Sequence, residues 1–272
     1  MSPATSLTFE KWEGLGNDFV IIELPRGVAE PFSPEQTQRL CDRHRGIGAD
    51  GILFIAELDS HPRMIVSNAD GSRPEMCGNG LRCVAAYLAE RSDHLAATLD
   101  ITTDAGEKHC VIERIGDDYA VTVDMGIAKQ TAPLAMDLAG KTHAFTTIDI
   151  GNPHAITFDT TYSQSDIDII APTIATSVPG GTNVEFCRIV LDGPRPRIEV
   201  TVWERGVGRT LACGTGACAV AAAACDAQQI RFKEPVDVAL PGGILEITVD
   251  RKWRVRMKGP ARRVFRGEVK AG

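Results

Sequence analysis

The chain has 272 residues, of which 43% are hydrophobic and 24% charged, and its formal net charge is −7. This length is sufficient to bury a core without disulfides, and it is compatible with two domains. The mild negative charge is spread along the sequence, which argues against non-specific nucleic-acid binding because such binding requires a basic surface.

The sequence shows no targeting or membrane-spanning pattern. Met1 to Trp12 contains no basic segment followed by an apolar run, so we expect no signal peptide. The small-apolar stretch from Leu211 to Cys225 is too short and too rich in Gly and Thr to cross a bilayer. We therefore expect a cytoplasmic protein without a membrane partner, in which the eight cysteines are mostly reduced.

The first half of the chain is predicted to contain mostly strands, because short apolar runs are bounded by Gly and Asn. Two segments have helical patterns instead, and the second of these opens directly after Cys77-Gly78-Asn79. The predicted strands are 6–12, 19–24, 51–55, 64–68, 100–103, 109–115 and 119–123, and the predicted helices are 34–43 and 80–90.

The second half repeats this organisation. The strand pattern lapses over 126–133, which we predict to be the crossover between two domains. A short helix of small residues again follows a cysteine, as expected for a helix enclosed by strands. The predicted strands are 144–150, 154–158, 182–189, 198–203, 236–240, 244–249 and 253–258, and the predicted helix is 216–226.

Four short motifs recur in the same order at a spacing of about 135 residues. One such match would mean little, but four at a nearly constant spacing indicate two similar domains placed face to face. The matched pairs are Gly16-Asn17-Asp18 with Gly151-Asn152-Pro153, Gly48-Ala49-Asp50-Gly51 with Gly181-Thr182-Asn183-Val184, Asn68 with Glu204, and Cys77-Gly78-Asn79-Gly80 with Cys213-Gly214-Thr215-Gly216.

Cys77 and Cys213 differ from the other cysteines because each precedes a Gly-x-Gly at the start of a predicted helix. Unpaired N–H groups and the helix dipole favour a thiolate there, so we expect a lowered thiol pKa and a ready anion site for a carboxylate. Two such thiols can invert a stereocentre, one acting as base and the other as acid. The remaining cysteines are expected to be small buried hydrophobes: Cys41, Cys83, Cys110, Cys187, Cys218 and Cys225.

The cysteine motifs are also compatible with other kinds of site. The spacings Cys77 to Cys83 and Cys213 to Cys218 are not typical of zinc sites, and no clustered histidines complete a ligand set. A dithiol redox centre would more typically have the pattern Cys-x-x-Cys, which is absent. Either motif alone could also be a structural turn, although the repeat argues against this.

Polar residues at the other repeated motifs predict a lining for a polar ligand. Arg205 could hold a carboxylate bidentately, and Glu204 could receive an ammonium group. His154 could orient or deprotonate a neighbouring group, or it could be a buried histidine of the core. Four asparagines at or beside strand ends complete the predicted lining: Asn17, Asn68, Asn152 and Asn183.

Together these motifs resemble the diaminopimelate epimerase family, from about Leu7 to the last strand. The resemblance rests on both cysteine motifs in order, and on Gly14-Leu15-Gly16-Asn17-Asp18-Phe19, Asn68-Ala69-Asp70-Gly71-Ser72, Gly151-Asn152-Pro153-His154 and Glu204-Arg205-Gly206. It implies an α/β (α+β) fold of two pseudo-symmetric domains, each a barrel-like sheet wrapped round a central helix. The implied domains are residues 1–128, with the C-terminal strand 259–272 returning to them, and 129–258.

The resemblance also implies a cofactor-independent, homodimeric epimerase that interconverts LL- and meso-diaminopimelate in lysine and peptidoglycan precursor synthesis. Cys77 and Cys213 would form the acid/base pair, with His154 and Glu204 tuning the thiols. The substrate-binding residues would be Asn17, Asn68, Gly78, Asn79, Asn152, Asn183, Glu204, Arg205, Gly214 and Thr215. No metal site is implied.

Two positions depart from this resemblance. Some family members have glutamine where this chain has Gly51, and Arg209 replaces a residue that is usually acidic or small. Neither departure affects the cysteines, but both bear on substrate range. A related racemase acting on proline or hydroxyproline, a non-catalytic amino-acid-binding module and a thiol-redox protein remain as alternatives.

Overall fold

The computed structural model describes residues 5–25, 32–58, 61–92, 96–138 and 140–271. Gly272, at the end of the predicted C-terminal strand, lies outside these residues. The chain divides into a first unit, residues 1–123 with 259–272, and a second unit, residues 124–258. Within the described residues, no helix is long and apolar enough to cross a membrane.

The first unit contains strands and two helices. Its elements are β1 (Thr5–Gly14), β2 (Asn17–Glu23), α1 (Pro34–Cys41), β3 (Gly51–Leu58), β4 (His61–Asn68), α2 (Gly78–Arg91), β5 (Ala96–Thr103), β6 (Gly106–Ile115) and most of β7 (Asp118–Ile127).

The second unit has the same kinds of element. They are β8 (Lys129–Gln130), β9 (Leu134–Leu138), β10 (Lys141–Asp149), β11 (Pro153–Thr157), α3 (Gln164–Ala175), β12 (Asn183–Val190), β13 (Arg197–Glu204), β14 (Gly208–Arg209), α4 (Gly214–Asp226), β15 (Val236–Leu240), β16 (Gly243–Val249) and the start of β17 (Arg254–Ala271).

The strands of the first unit form a closed ring. Hydrogen-bonded neighbours follow the order β1, β2, β3, β4, β5, β6 and β7, with parallel pairs at β2–β3 and β4–β5. β17 pairs with both β7 and β1, which closes the ring at eight strands. Closure leaves no open sheet edge, and the interior is filled by α2, of which residues such as Leu81, Cys83 and Val84 are fully buried.

The second unit has a ladder with the same pattern. Neighbours follow the order β8, β10, β11, β12, β13, β15, β16 and β17, with parallel pairs at β11–β12 and β13–β15. The backbone N–H of Ala128 donates to the carbonyl of Trp253 at 2.9 Å, which links the segment before β8 to the start of β17. The α4 helix is buried along nearly its whole length. The predicted fold of two similar barrels, each around a central helix, is therefore confirmed.

The remaining helices pack on the outside of the sheets. In the first unit, Leu40 and Cys41 of α1 contact outward-facing residues such as Val20 and Phe54. In the second unit, Ile167 and Ile170 of α3 belong to a cluster with strands β10 to β12. The α3 helix was not predicted, although Ser163 and Asp166 form a capping box at its start.

Three predictions need correction in part, although the predicted strand 253–258 is confirmed as the start of β17. The crossover expected over 126–133 is partly strand, since β7 continues to Ile127 and β8 pairs with β10. The predicted strand 253–258 and the C-terminal strand are one continuous element, β17. The repeat also needs a correction of one residue: His154 pairs with Asn183, whereas Phe19 pairs with Gly51, so Asn183 is equivalent to Gly51 and not to Asp50.

Candidate active site

Cys77 is the N-cap of α2, and its sulfur accepts a hydrogen bond from the backbone N–H of Gly80 at 3.4 Å. The side chain is partly exposed. The Gly-x-Gly sequence has a steric reason here, because a Cβ on Gly80 would lie 2.9 Å from a methyl carbon of Leu53. The predicted cysteine at a helix N-terminus is thus observed in the first unit.

Three polar side chains of the first unit form a connected group. Asn79, the second residue of α2, donates from Nδ2 to Oδ1 of Asn17 at 3.1 Å. Asn17 in turn donates from Nδ2 to Oδ2 of Asp50 at 2.7 Å. Asp50 was not predicted as a site residue, although its position directly before β3 and beside Asn17 makes it the group that orients the Asn17 amide.

Asn68 and Gly78 occupy the expected places at element ends. Asn68 ends β4, pairs with Gly51 across the ladder, and donates from Nδ2 to Oγ of Ser72 at 2.9 Å. Gly78 is the buried first residue of α2. A Cβ on Gly51 would lie 2.8 Å from the carbonyl oxygen of Ser67, so a side chain at this position would require the backbone to move.

Cys213 is the N-cap of α4 in the second unit. Its sulfur accepts from the backbone N–H of Gly216 at 3.3 Å, and Oγ1 of Thr215 lies 3.6 Å away. Gly214 and Thr215 are the first two residues of α4. Both cysteine-capped helices were therefore correctly located from the sequence.

The expected lowering of the thiol pKa is wrong for Cys213. Burial raises its pKa well above the ordinary value, and the nearby carboxylates of Glu204 and Glu185 raise it further. The hydrogen bonds from Thr215 and Gly216 act in the opposite direction but are outweighed. Cys213 is therefore a thiol at neutral pH.

His154 is fully buried on β11 and contacts two polar side chains. Its Nδ1 lies 2.6 Å from Oε1 of Glu185, which is also fully buried, and its Nε2 lies 3.1 Å from Oδ1 of Asn152. A separation of 2.6 Å between a ring nitrogen and a carboxylate oxygen is that of a strong hydrogen bond. The predicted site residues His154 and Asn152 are thus in direct contact, and the other ring nitrogen of His154 binds Glu185, which the sequence analysis does not predict.

Glu204 ends β13 and Arg205 follows it, and the two side chains have separate contacts. Oε1 of Glu204 accepts from Oγ1 of Thr210 at 2.6 Å, and burial raises the pKa of this carboxyl group. The backbone N–H of Arg205 donates to Oδ1 of Asn183 at 2.9 Å. The guanidinium donates to the carbonyl of Gly180, and its stem packs on Gly181, where a Cβ would lie 2.6 Å from Cδ of Arg205.

Arg209 does not contact the cysteine loop through its guanidinium. It donates to Oδ1 of Asp168 at 2.5 Å, and to Oε1 and the backbone carbonyl of Gln164 at 2.6 and 2.9 Å. All of these acceptors belong to α3. Arg209, one of the two departures from the family resemblance, therefore holds α3 against β14.

The chain matches the family model described as diaminopimelate epimerase over residues 9–131 and 146–264. It is 39% identical to a diaminopimelate epimerase of Trichodesmium erythraeum, covering 96% of this chain and 99% of that one. It is 40% identical to a diaminopimelate epimerase of Desulfitobacterium hafniense, covering 94% and 96%.

Solved structures share the fold at low sequence identity. A predicted epimerase from Pseudomonas aeruginosa superposes with a TM-score of 0.73 at 15% identity, covering 98% of this chain and all of that one. A hydroxyproline epimerase from Agrobacterium vitis superposes with a TM-score of 0.71 at 15% identity, covering 98% and 93%. The family match and the curated relatives together show that the chain belongs to the diaminopimelate epimerase family of isomerases.

Proposed function

We propose that this enzyme interconverts LL- and meso-diaminopimelate by proton transfer between two thiols, Cys77 and Cys213. The observation that carries the proposal is the presence of the same local structure in both units: a cysteine caps a buried helix, and the backbone N–H three residues further on donates to its sulfur. Inversion at carbon needs a base on one face and an acid on the other, and each unit supplies one candidate.

The proton steps follow from the state of the two sulfurs. With Cys213 present as a thiol, the base in the forward direction is Cys77, which takes the α-proton as the Cα–H bond breaks. The carbanion then takes the proton of Cys213, which leaves this sulfur as the thiolate. The return reaction reverses both transfers. Before a second forward turnover Cys77 must lose a proton to solvent and Cys213 must gain one, and this exchange is how solvent deuterium reaches the α-carbon.

The helix termini supply the electrostatic part of the proposed mechanism. The substrate carboxylate beside the reacting carbon would accept hydrogen bonds from N–H groups of Gly78, Asn79, Gly214 and Thr215. Negative charge that develops on its oxygens is then met by fixed dipoles that need no reorganisation. The glycines leave room for a close approach of the ligand to the backbone.

The second end of diaminopimelate carries an ammonium group and a carboxylate, and we propose that polar residues at the strand ends bind it. Glu204 would accept from the ammonium group, while Arg205 would donate to the carboxylate. The asparagines would complete the hydrogen bonds of this end: Asn17, Asn68, Asn152 and Asn183. His154 and Glu204 would tune the protonation of the thiols.

We further propose that the enzyme acts without pyridoxal phosphate, as a cytoplasmic homodimer, in lysine and peptidoglycan precursor synthesis. Residues 1–128 with 259–272 and residues 129–258 would be its two domains, each supplying one thiol. These proposals rest on the family and on the sequence pattern.

A substrate panel tests the proposed activity. Purified, reduced enzyme without pyridoxal phosphate is incubated in deuterium oxide with LL-diaminopimelate, L-proline or hydroxyproline. Deuterium should enter the α-carbon of diaminopimelate alone. Exchange into proline or hydroxyproline would favour the related racemase, and tight binding of diaminopimelate without exchange would favour a binding module.

A further inference from the structure

His154 and Glu185 occupy positions that are apolar in the first unit. In the parallel ladders, His154 pairs with Asn183 as Phe19 pairs with Gly51. Two residues further along each strand, Glu185 therefore corresponds to Leu53. Both members of each pair are buried, with exposed fractions of 0% for His154, Glu185 and Leu53.

Gly80 of α2 and Gly216 of α4 are equivalent by the repeat, and each lies against one of these two different side chains. A Cβ on Gly80 would lie 2.9 Å from a methyl carbon of Leu53, whereas a Cβ on Gly216 would lie 2.7 Å from Oε1 of Glu185. That same point on Gly216 would be 3.2 Å from the sulfur of Cys213. The carboxylate of Glu185 and the thiol of Cys213 thus flank the first turn of α4.

The polar pair is not a requirement of the barrel. The first unit closes the same eight-stranded ring around the same kind of helix with Phe19 and Leu53 in these places. Burying a carboxylate costs free energy unless every oxygen is paired. Yet among the residues that the structure describes, Oε2 of Glu185 is buried without a hydrogen-bond partner. A buried carboxylate that costs free energy, at a position where the first unit has leucine, indicates a role in the reaction and not in the fold.

We propose that Glu185 is a positioning residue for the thiol reaction: it holds the His154 ring through a hydrogen bond and keeps Cys213 protonated until its proton is transferred. This rests on the proposed function. Glu185 acts through its charge beside the first turn of α4, together with the other titratable groups of the second unit at this place, Glu204 on β13 and His154 on β11.

The proposal gives a reason for the carboxylate beside Cys213, where the first unit has Leu53. Removing the carboxylate should favour the thiolate of Cys213, because a nearby negative charge disfavours a second one. It should also free the His154 ring, because Nδ1 loses its charged partner. A purely structural role would instead predict loss of folding and no change in thiol ionisation.

Two variants separate charge from shape. Glu185→Gln keeps the size and a hydrogen-bonding group but removes the charge and the titratable proton. The double variant His154→Phe with Glu185→Leu reproduces the pair found in the first unit. Glu199→Gln is the matched control for removing one charge, since Glu199 is a partly exposed carboxylate on β13 that pairs with Arg188.

The primary measurement is a pH titration that follows the ultraviolet absorbance of the thiolate. For wild type and for each variant above, the titration of Cys77→Ala/Cys213→Ala is subtracted from that of Cys77→Ala. This isolates Cys213 and does not depend on turnover. Glu185→Gln should shift its midpoint down by about one pH unit or more, and the Phe/Leu variant should do the same while retaining a cooperative unfolding transition. Glu199→Gln should leave the midpoint in place.

An unchanged midpoint in Glu185→Gln would overturn the proposal, as would the loss of folding in both Glu185→Gln and the Phe/Leu variant. With Cys77 intact, Glu185→Gln should also lower kcat about tenfold or more with a smaller change in KM. If wild-type enzyme exchanges no deuterium into diaminopimelate, the proposed function fails, but the titration still decides the role of Glu185.

Discussion

Asn17 donates its side-chain N–H to Asp50 at 2.7 Å, and this contact fixes which way the Asn17 amide faces. Replacement of Asp50 by Asn removes the charged acceptor and allows the amide to rotate. If Asn17 binds substrate, KM should rise about tenfold, the equivalent of one hydrogen bond, with a smaller change in kcat. The control is Asp104→Asn, whose carboxylate pairs with Arg63. Unchanged KM in Asp50→Asn would contradict the role given to Asn17.

Asp18 should make the first unit sensitive to acid. Burial alone would raise the pKa of Asp18, but hydrogen bonds from Arg43 and Lys11 outweigh it and lower the pKa to about 2. A carboxyl group whose pKa is lowered by folding stabilises the protein fully above its unfolded pKa of about 4, and this contribution is lost as the pH falls towards 2.

Lys11→Met removes the buried partner that lies 2.5 Å from Asp18. Because this leaves the half-buried carboxylate of Asp18 with Arg43 as its remaining cationic partner, the free energy of unfolding at pH 7 should fall by about 2 kcal/mol. Its decrease between pH 4 and pH 2 should become shallower. Urea unfolding at both ends of this range measures both effects, and an unaltered acid dependence would count against the ion pair.

Buried thiols should make the protein sensitive to alkali. Burial raises the pKa of Cys41 and Cys225 to about 11 and that of Cys110 to about 12. Above about pH 9 the unfolded chain loses these protons while the folded chain keeps them, so stability should fall as the pH rises, by up to about 1.4 kcal/mol per thiol and pH unit. In Cys110→Ala the alkaline slope should be smaller than in wild type. Equal slopes would show that Cys110 ionises in the folded protein.

Most strands and both central helices could be predicted because their signals are local. Apolar alternation and bounding glycines located β15 at Val236–Leu240, and the cysteine motifs located α2 and α4. The ring of strands could not be derived, since closure depends on pairs such as β17 with β1 that lie far apart in sequence. The α3 helix was hidden by Pro172 and by several β-branched residues, which lower helix propensity although tertiary packing stabilises the helix here.

A site residue could be predicted where its neighbours in the sequence mark it. It could not be predicted where its role depends on a contact with a residue far away in the sequence. His154 was noticed because it follows Gly151-Asn152-Pro153. Glu185 was missed because a single acidic residue within a predicted strand usually faces solvent. The Cys213 thiol shows the same limit: the helix N-terminus is a local feature that favours a thiolate, but burial and two carboxylates from other strands outweigh it.

Arg209 should contribute to stability and not to turnover. Its guanidinium binds the side chain of Asp168 and two oxygens of Gln164, so it holds α3 in place. Arg209→Gln should lower the free energy of unfolding by about 1 kcal/mol, since the contacts are partly exposed, and should leave kcat within about twofold of wild type. The control is Arg231→Gln, which breaks an exposed pair with Glu234 at 3.5 Å. A large fall in kcat would show that Arg209 also acts on the cysteine loop.

The most direct test of the two-thiol account is solvent deuterium incorporation at the α-carbon of diaminopimelate by wild type, Cys77→Ala and Cys213→Ala. Wild-type enzyme should incorporate deuterium and invert the centre, and each single variant should lose inversion by about a hundredfold or more, because it lacks the acid or the base for one face. Thermal unfolding of each variant establishes that the fold is retained. Full inversion by either alanine variant would contradict the account.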